Sequence, residues 1–172
     1  MQSYFSTARA PRERGHGRPA LALVLLLALV AGRAAAQPAN DFFVVPNTLT
    51  GQSGSVLGDT TGATLEPNEP LVFTPFGGII PNGASVWYRW IAPASGTVFF
   101  NTFTSPFDTV LSSYTGTNIL AIVQLAANDD FAKEHREAKI EFVLPTNGTY
   151  YLSLIDAHDA GSALHVYRLV LK

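Results

Sequence analysis

The acidic side chains of this chain fall in short groups, and three of those groups have the composition of a hard-cation site. Asn40-Asp41 is the first, Glu66-Pro67-Asn68-Glu69-Pro70 the second, and Asn128-Asp129-Asp130 the third. Calcium takes about six to eight oxygen ligands from carboxylates, amide oxygens and backbone carbonyls, and each group offers such atoms. None follows the EF-hand spacing, so ligands would have to be gathered from separate segments. The histidines make a weaker case. His135 lies in a charged run, His165 in a strand-like stretch, and His158 in the polar loop Asp156-Ala157-His158-Asp159. Asp156, His158 and Asp159 suit a transition metal by ligand type, and His158 with Asp159 is where a small hydrolase would have to work. No serine sits in a G-x-S-x-G elbow. The ordinary reading of these histidines is a surface or loop position. The chain has no cysteine, which removes thiolate catalysis, thiolate metal sites and disulfides. The balance therefore favours binding over catalysis.

The N-terminus carries a different signal. Arg9, Arg12, Arg14 and Arg18 precede an apolar run from Ala20 to Ala31, and Ala34-Ala35-Ala36 fits the A-x-A pattern of signal-peptidase cleavage. That run is short against the roughly 20 residues of a membrane span. The expectation is a signal peptide at 1–36, an exported chain (secreted, periplasmic or at the cell surface), and a single domain at 37–172. After cleavage no membrane span is expected. The 11 basic and 13 acidic residues become six and twelve, for a net charge of about −6. Such a domain repels phosphate backbones, so nucleic acid is not an expected partner.

Positioning these groups falls to β-structure. Past residue 37 the sequence divides into runs rich in Val, Ile, Phe, Tyr, Trp and Thr, parted by Gly, Pro, Asn and Asp. Seven strands are predicted, at Ser85–Ala92, Gly96–Thr104, Asp108–Tyr114, Ile119–Ala126, Ala138–Leu144, Thr149–Ile155 and Leu164–Leu171. The period-2 pattern is clearest where Ala138, Ile140, Phe142 and Leu144 oppose Lys139 and Glu141. Trp87, Tyr88 and Trp90 cannot all face one side of a strand, so at least one belongs to a core. Thr48–Gly83, rich in Gly, Thr, Pro and Asn, reads as a long connection with one or two short edge strands and an apolar cluster at Leu71–Phe76. No internal repeat is present. The fold class is all-β, an antiparallel, jelly-roll-like β-sandwich.

In order along the chain, Asn40-Asp41, Gly62-Ala63-Thr64, Glu66-Pro67, Glu69-Pro70, SVWYRW (85–90), APASGT (92–97), FDTVL (107–111), Tyr114-Thr115-Gly116, Asn128-Asp129-Asp130 and Gly148-Thr149-Tyr150-Tyr151 resemble the bacterial pre-peptidase C-terminal domain and the related collagen-binding modules of collagenases. The resemblance implies a jelly-roll-like sandwich of the kind appended to exported enzymes. It also implies calcium near the start of the domain, held by Asn40 and Asp41 with Glu66 and Glu69. Asn128, Asp129 and Asp130 form the second candidate cluster, and Asp108 is read as bracing a turn. Where relatives carry a His-Ala-Gly stretch after the second Glu-Pro, this chain has Leu71-Val72-Phe73-Thr74-Pro75-Phe76. The expectation is a non-catalytic binding or accessory module engaging a protein or polysaccharide around Leu71–Asn82. The alternative is a structural or assembly protein using Leu71–Ile80 as its interface.

Overall fold

The computed structural model describes residues 36–74, 78–80, 83–158 and 166–172. Apart from Ala36, the expected signal peptide lies outside the described residues, as do Phe76, Asp159 and His165. The described chain is built of strands: β1 (Asn47–Leu49), β2 (Gly54–Asp59), β3 (Val72–Phe73), β4 (Ile79–Ile80), β5 (Ser85–Ala92), β6 (Gly96–Asn101), β7 (Thr109–Thr115), β8 (Val123–Asn128), β9 (Lys139–Leu144), β10 (Gly148–Asp156) and β11 (Val166–Leu171). No helix among the described residues is long and apolar enough to cross a membrane.

Two sheets face each other, one ordered β1-β5-β10-β7-β8 and the other β2-β11-β6-β9, while β3 and β4 pair separately. Every pairing is antiparallel except β1 with β5, which runs parallel. The architecture is a jelly-roll-like β-sandwich. Between the sheets, alternation sorts the side chains. Val86, Tyr88 and Trp90 of β5 stand opposite Leu154, Leu152 and Tyr150 of β10 and point inward with them. They meet Val98 and Phe100 of β6, Ile140 and Leu144 of β9 and Leu171 of β11. Trp90 and Phe100 touch edge to face across the gap, ring centroids 5.3 Å apart, a favoured aromatic geometry. Ala138, Ile140, Phe142 and Leu144 share the inner side, as their spacing predicts, with Glu141 and Val143 exposed.

The outer face of the five-stranded sheet is buried as well. Trp87 of β5, Tyr114 of β7 and Tyr151 of β10 pack beneath Phe43. Further along, Val110, Ala127 and Ile155 pack beneath Val72 of β3 and Ile80 of β4. A strand covered on both faces reads as a continuous apolar run, which explains why Trp87, Tyr88 and Trp90 are all buried. The connection 48–83 is thus more ordered than a loop with one or two edge strands. It supplies β2, which borders the second sheet, and the β3–β4 hairpin that roofs the first.

Several predicted ends shift for local reasons. β8 begins at Val123 because Asn118 accepts the Leu120 N–H at 3.0 Å on its side chain and the Ala121 N–H at 2.8 Å on its backbone, making a turn of the expected strand start. Gly116 enters that turn at φ +106, and a Cβ there would lie 3.1 Å from the Ile122 Cα, so only glycine fits. β6 stops at Asn101, whose side chain accepts the Phe103 N–H at 3.2 Å.

Candidate functional site

The segments that carry the first expected ligand set are joined into a hydrogen-bonded clasp, without Asp41, Glu66 and Glu69 forming a convergent group of carboxylates. Asn40 bonds to Trp87 twice: its backbone oxygen accepts the Trp87 N–H at 2.8 Å, and its Nδ2 donates to the Trp87 oxygen at 3.0 Å. Asp41, 1% exposed, accepts the Thr64 N–H at 2.7 Å on Oδ1 and the Thr64 hydroxyl at 2.8 Å on Oδ2. Glu66 Oε2 accepts the Phe43 N–H at 2.8 Å. Glu69 Oε1 closes its own turn by accepting the Glu66 N–H at 2.8 Å, and takes the Ser85 hydroxyl at 2.7 Å. Asn68 at φ 73 shapes this turn, between two prolines. These bonds pin residues 40–43 and 63–69 over β5. Burial drives the Glu69 carboxyl up from its ordinary 4.5 to about 7, against the hydrogen bonds that favour its ionised form.

The second expected set divides. Asn128 Oδ1 accepts the Lys139 N–H at 3.0 Å and so ties β8 to β9. Asp129 and Asp130 instead join Asp108, and one carboxylate oxygen of each lies within 4.8 Å of the others. The β7–β8 hairpin explains the meeting. Leu111 stands opposite Asn128, so the residue before β7 and the residues after β8 share one end of the sheet. Among the described residues this is the one group of three such side chains so convergent. Burial and then the neighbouring Asp130 charge raise the Asp108 pKa; burial and then the Asp108 charge raise that of Asp129. Asp108 Oδ1 and Asp129 Oδ1 are buried with no donor facing them. On the rim, His158 Nδ1 stands 3.7 Å from Asp108 Oδ2, and the His158 N–H reaches Asp156 Oδ1 at 3.0 Å. Asp108 lies between the bend at Pro106-Phe107 and β7, and its carboxylate belongs to this cluster rather than bracing a turn. Composition pointed to Asp129 and Asp130; only the hairpin register adds Asp108.

The apolar segment forms a third feature. Val72 is fully buried under the sheet's outer face, while Leu71, Phe73 and Ile79 are about half exposed. Gln124 of β8 holds the hairpin in place: its Oε1 accepts the Phe73 N–H at 3.1 Å and its Nε2 donates to the Phe73 oxygen at 2.7 Å. The amide thus stands in for one residue of a neighbouring strand. A lone glutamine in the apolar run 119–127 was the available signal for it.

No family model matches the chain, and none of the curated proteins matches it either. Among solved structures, it is similar to the pre-peptidase C-terminal domain of a collagenase from Bacillus anthracis, 10% identical over 74% of this chain and 92% of that one, with a TM-score of 0.41. It is also similar to PliG, a periplasmic inhibitor of g-type lysozyme from Aeromonas hydrophila, at 14% identity over 73% and 92% of the two chains, TM-score 0.38. A third is the CBM36-1 domain of a multidomain xylanase from the hindgut metagenome of Trinervitermes trinervoides, at 16% identity over 70% and 96%, TM-score 0.38. The first of these is the domain type that the sequence resembles.

Proposed function

We propose that this chain is an exported, non-catalytic binding module whose contact surface for a protein or polysaccharide is the β3–β4 hairpin. The observation that carries this reading is the fixed presentation of apolar side chains. Val72 anchors β3 and Gln124 bonds to the Phe73 backbone, leaving Leu71, Phe73 and Ile79 about half exposed beside it. Exposed apolar groups grouped on an ordered element are the usual mark of an interaction site. The test is retention of the protein on a panel of insoluble polysaccharides and fibrous proteins, beside Phe73→Asp. Loss of retention in the variant supports the hairpin as the contact; equal retention rejects it. If instead the mass rises with concentration and Phe73→Asp abolishes the rise, the assembly reading replaces it.

A second reading concerns calcium, and the orphaned oxygens of Asp108 and Asp129 favour it. Three carboxylates within 4.8 Å make an all-oxygen donor set, which suits a hard cation. The oxygens of Asp41, by contrast, are taken up by Thr64. We place calcium at Asp108, Asp129 and Asp130, where it would offset three close negative charges and join the two ends of the β7–β8 hairpin. The test is the thermal midpoint with millimolar calcium and then with chelator. A rise that vanishes in Asp129→Asn supports the site, and equal midpoints reject it.

A further inference from the structure

The outer face of the second sheet carries a groove that differs from the rest of the molecule in charge. Past residue 37 the chain has six basic and twelve acidic side chains. Three of the six, Lys139, Arg168 and Lys172, line this one groove, and no acidic side chain lines it. Its volume is about 460 Å³. Phe99 of β6 forms part of its floor, and Phe103 and Phe131 rise from the loops beside it. Lys139 Nζ lies 4.9 Å from the centroid of the Phe99 ring, a distance at which a cation is held over the ring. Phe103 and Phe131 meet edge to face at 4.8 Å. Lys139 also pairs with Glu141 at 3.2 Å, outside the groove. Arg168 is exposed and forms no ion pair among the described residues.

We infer that this groove binds an acidic polysaccharide, with Arg168 and Lys139 engaging sugar carboxylates and the Phe103–Phe131 pair packing against the apolar faces of the rings. Charge selects the ligand. A groove lined by three basic side chains and no acidic one, on an acidic domain, attracts an anion locally, while the net charge of about −6 opposes a dense polyphosphate such as nucleic acid. Arginine presents a planar fork that meets a carboxylate with two parallel hydrogen bonds. Phenyl rings have no polar tip, so their contribution is apolar contact, which the C–H face of a pyranose supplies. Under the groove, β6 is paired to β9 along its length and to β11 at Phe100 and Asn101, so an extended peptide could not add a strand there. A sugar chain is read by side chains and needs no such pairing.

This inference rests on the binding-module reading but uses a surface separate from the β3–β4 hairpin. Its test is calorimetric titration of the whole chain with polygalacturonate, neutral galactan and polyglutamate, in low and raised salt, for wild type, Arg168→Ala and Phe131→Ala. Circular dichroism checks that the variants fold. The expected result is salt-sensitive binding of polygalacturonate alone. Arg168→Ala, which removes both arms of the fork, should weaken it by at least about tenfold, and Phe131→Ala should weaken it as well. Polygalacturonate binding left intact by both variants overturns the groove. Equal binding of polyglutamate overturns the ligand class. If polygalacturonate is not bound but another matrix retains the protein in a Phe73-dependent way, this inference fails while the module reading stands. Binding of nothing in either experiment removes both.

Discussion

Glu69 makes stability fall as the solution becomes less acidic. Its carboxyl is raised from 4.5 to about 7 in the folded protein, so the folded state holds a proton that the unfolded state has released. The associated stability is fully present below about pH 4.5 and is lost as pH rises through about 7. A difference of some 2.5 units, at about 1.36 kcal/mol per unit, corresponds to roughly 3 kcal/mol. Glu69→Gln keeps an oxygen for the Ser85 hydroxyl and the Glu66 N–H and cannot ionise. Urea unfolding at pH 4 and pH 8, with chelator throughout, separates the two proteins. Between those conditions the wild type should lose about 3 kcal/mol more than Glu69→Gln, a relative midpoint change of roughly 1–2 M at a slope of about 2 kcal/mol/M. Asp108 and Asp129 titrate in the same direction, but both proteins contain them, so they cancel in the comparison. Parallel pH profiles for wild type and variant would refute the buried-carboxyl argument.

Millimolar calcium, at about ten times a typical extracellular-module dissociation constant, should add about 1.4 kcal/mol to stability. By differential scanning calorimetry the gain should disappear in Asp129→Asn and persist in Asp41→Asn, whose partners lie at the clasp. Phe43→Ala should cost about 3–5 kcal/mol in urea denaturation, as for a core aromatic, although Phe43 covers a sheet's outer face. Gln124→Ala removes both bonds to the Phe73 backbone. Amide exchange at residues 72–73 should then quicken by roughly 30-fold, with each of the two lost bonds worth about 1 kcal/mol, while exchange in β10 stays unchanged.

Strand identity was readable where local chemistry decided it. Ser85–Ala92 is bounded as predicted, and the inward face of 138–144 follows from alternation alone. What sequence could not show was which surface covers which. Trp87 looks like a solvent-side residue of an alternating strand until Phe43, 44 positions earlier, is laid over it at a ring distance of 5.1 Å. The same holds for the acids. Asn40, Asp41, Glu66 and Glu69 are indeed neighbours, yet the donors that meet their oxygens are backbone N–H groups and hydroxyls that composition does not reveal. Asp108 meets Asp129 and Asp130 only because β7 and β8 pair in one register. The groove around Arg168 draws on β6, β9, β11 and two loops, so no window of sequence contains it.

The placement of β2 bears on how the chain comes to be folded at all. Its neighbour in the sheet is β11, at the other end of the domain, with Val56 opposite Leu169 and Gly54 opposite Leu171. During synthesis β2 emerges more than a hundred residues ahead of the strand it needs, and β6 waits for β9 and β11 in turn. Closing such long loops is costly before any pairing repays it, so sandwiches of this connectivity fold in milliseconds to seconds rather than microseconds. The second sheet cannot be completed until β11 has been made and is free to pair. Truncation before Val166 would leave β2 without its neighbour and β6 with one edge bare, so C-terminal loss should act on the whole second sheet rather than fraying one end.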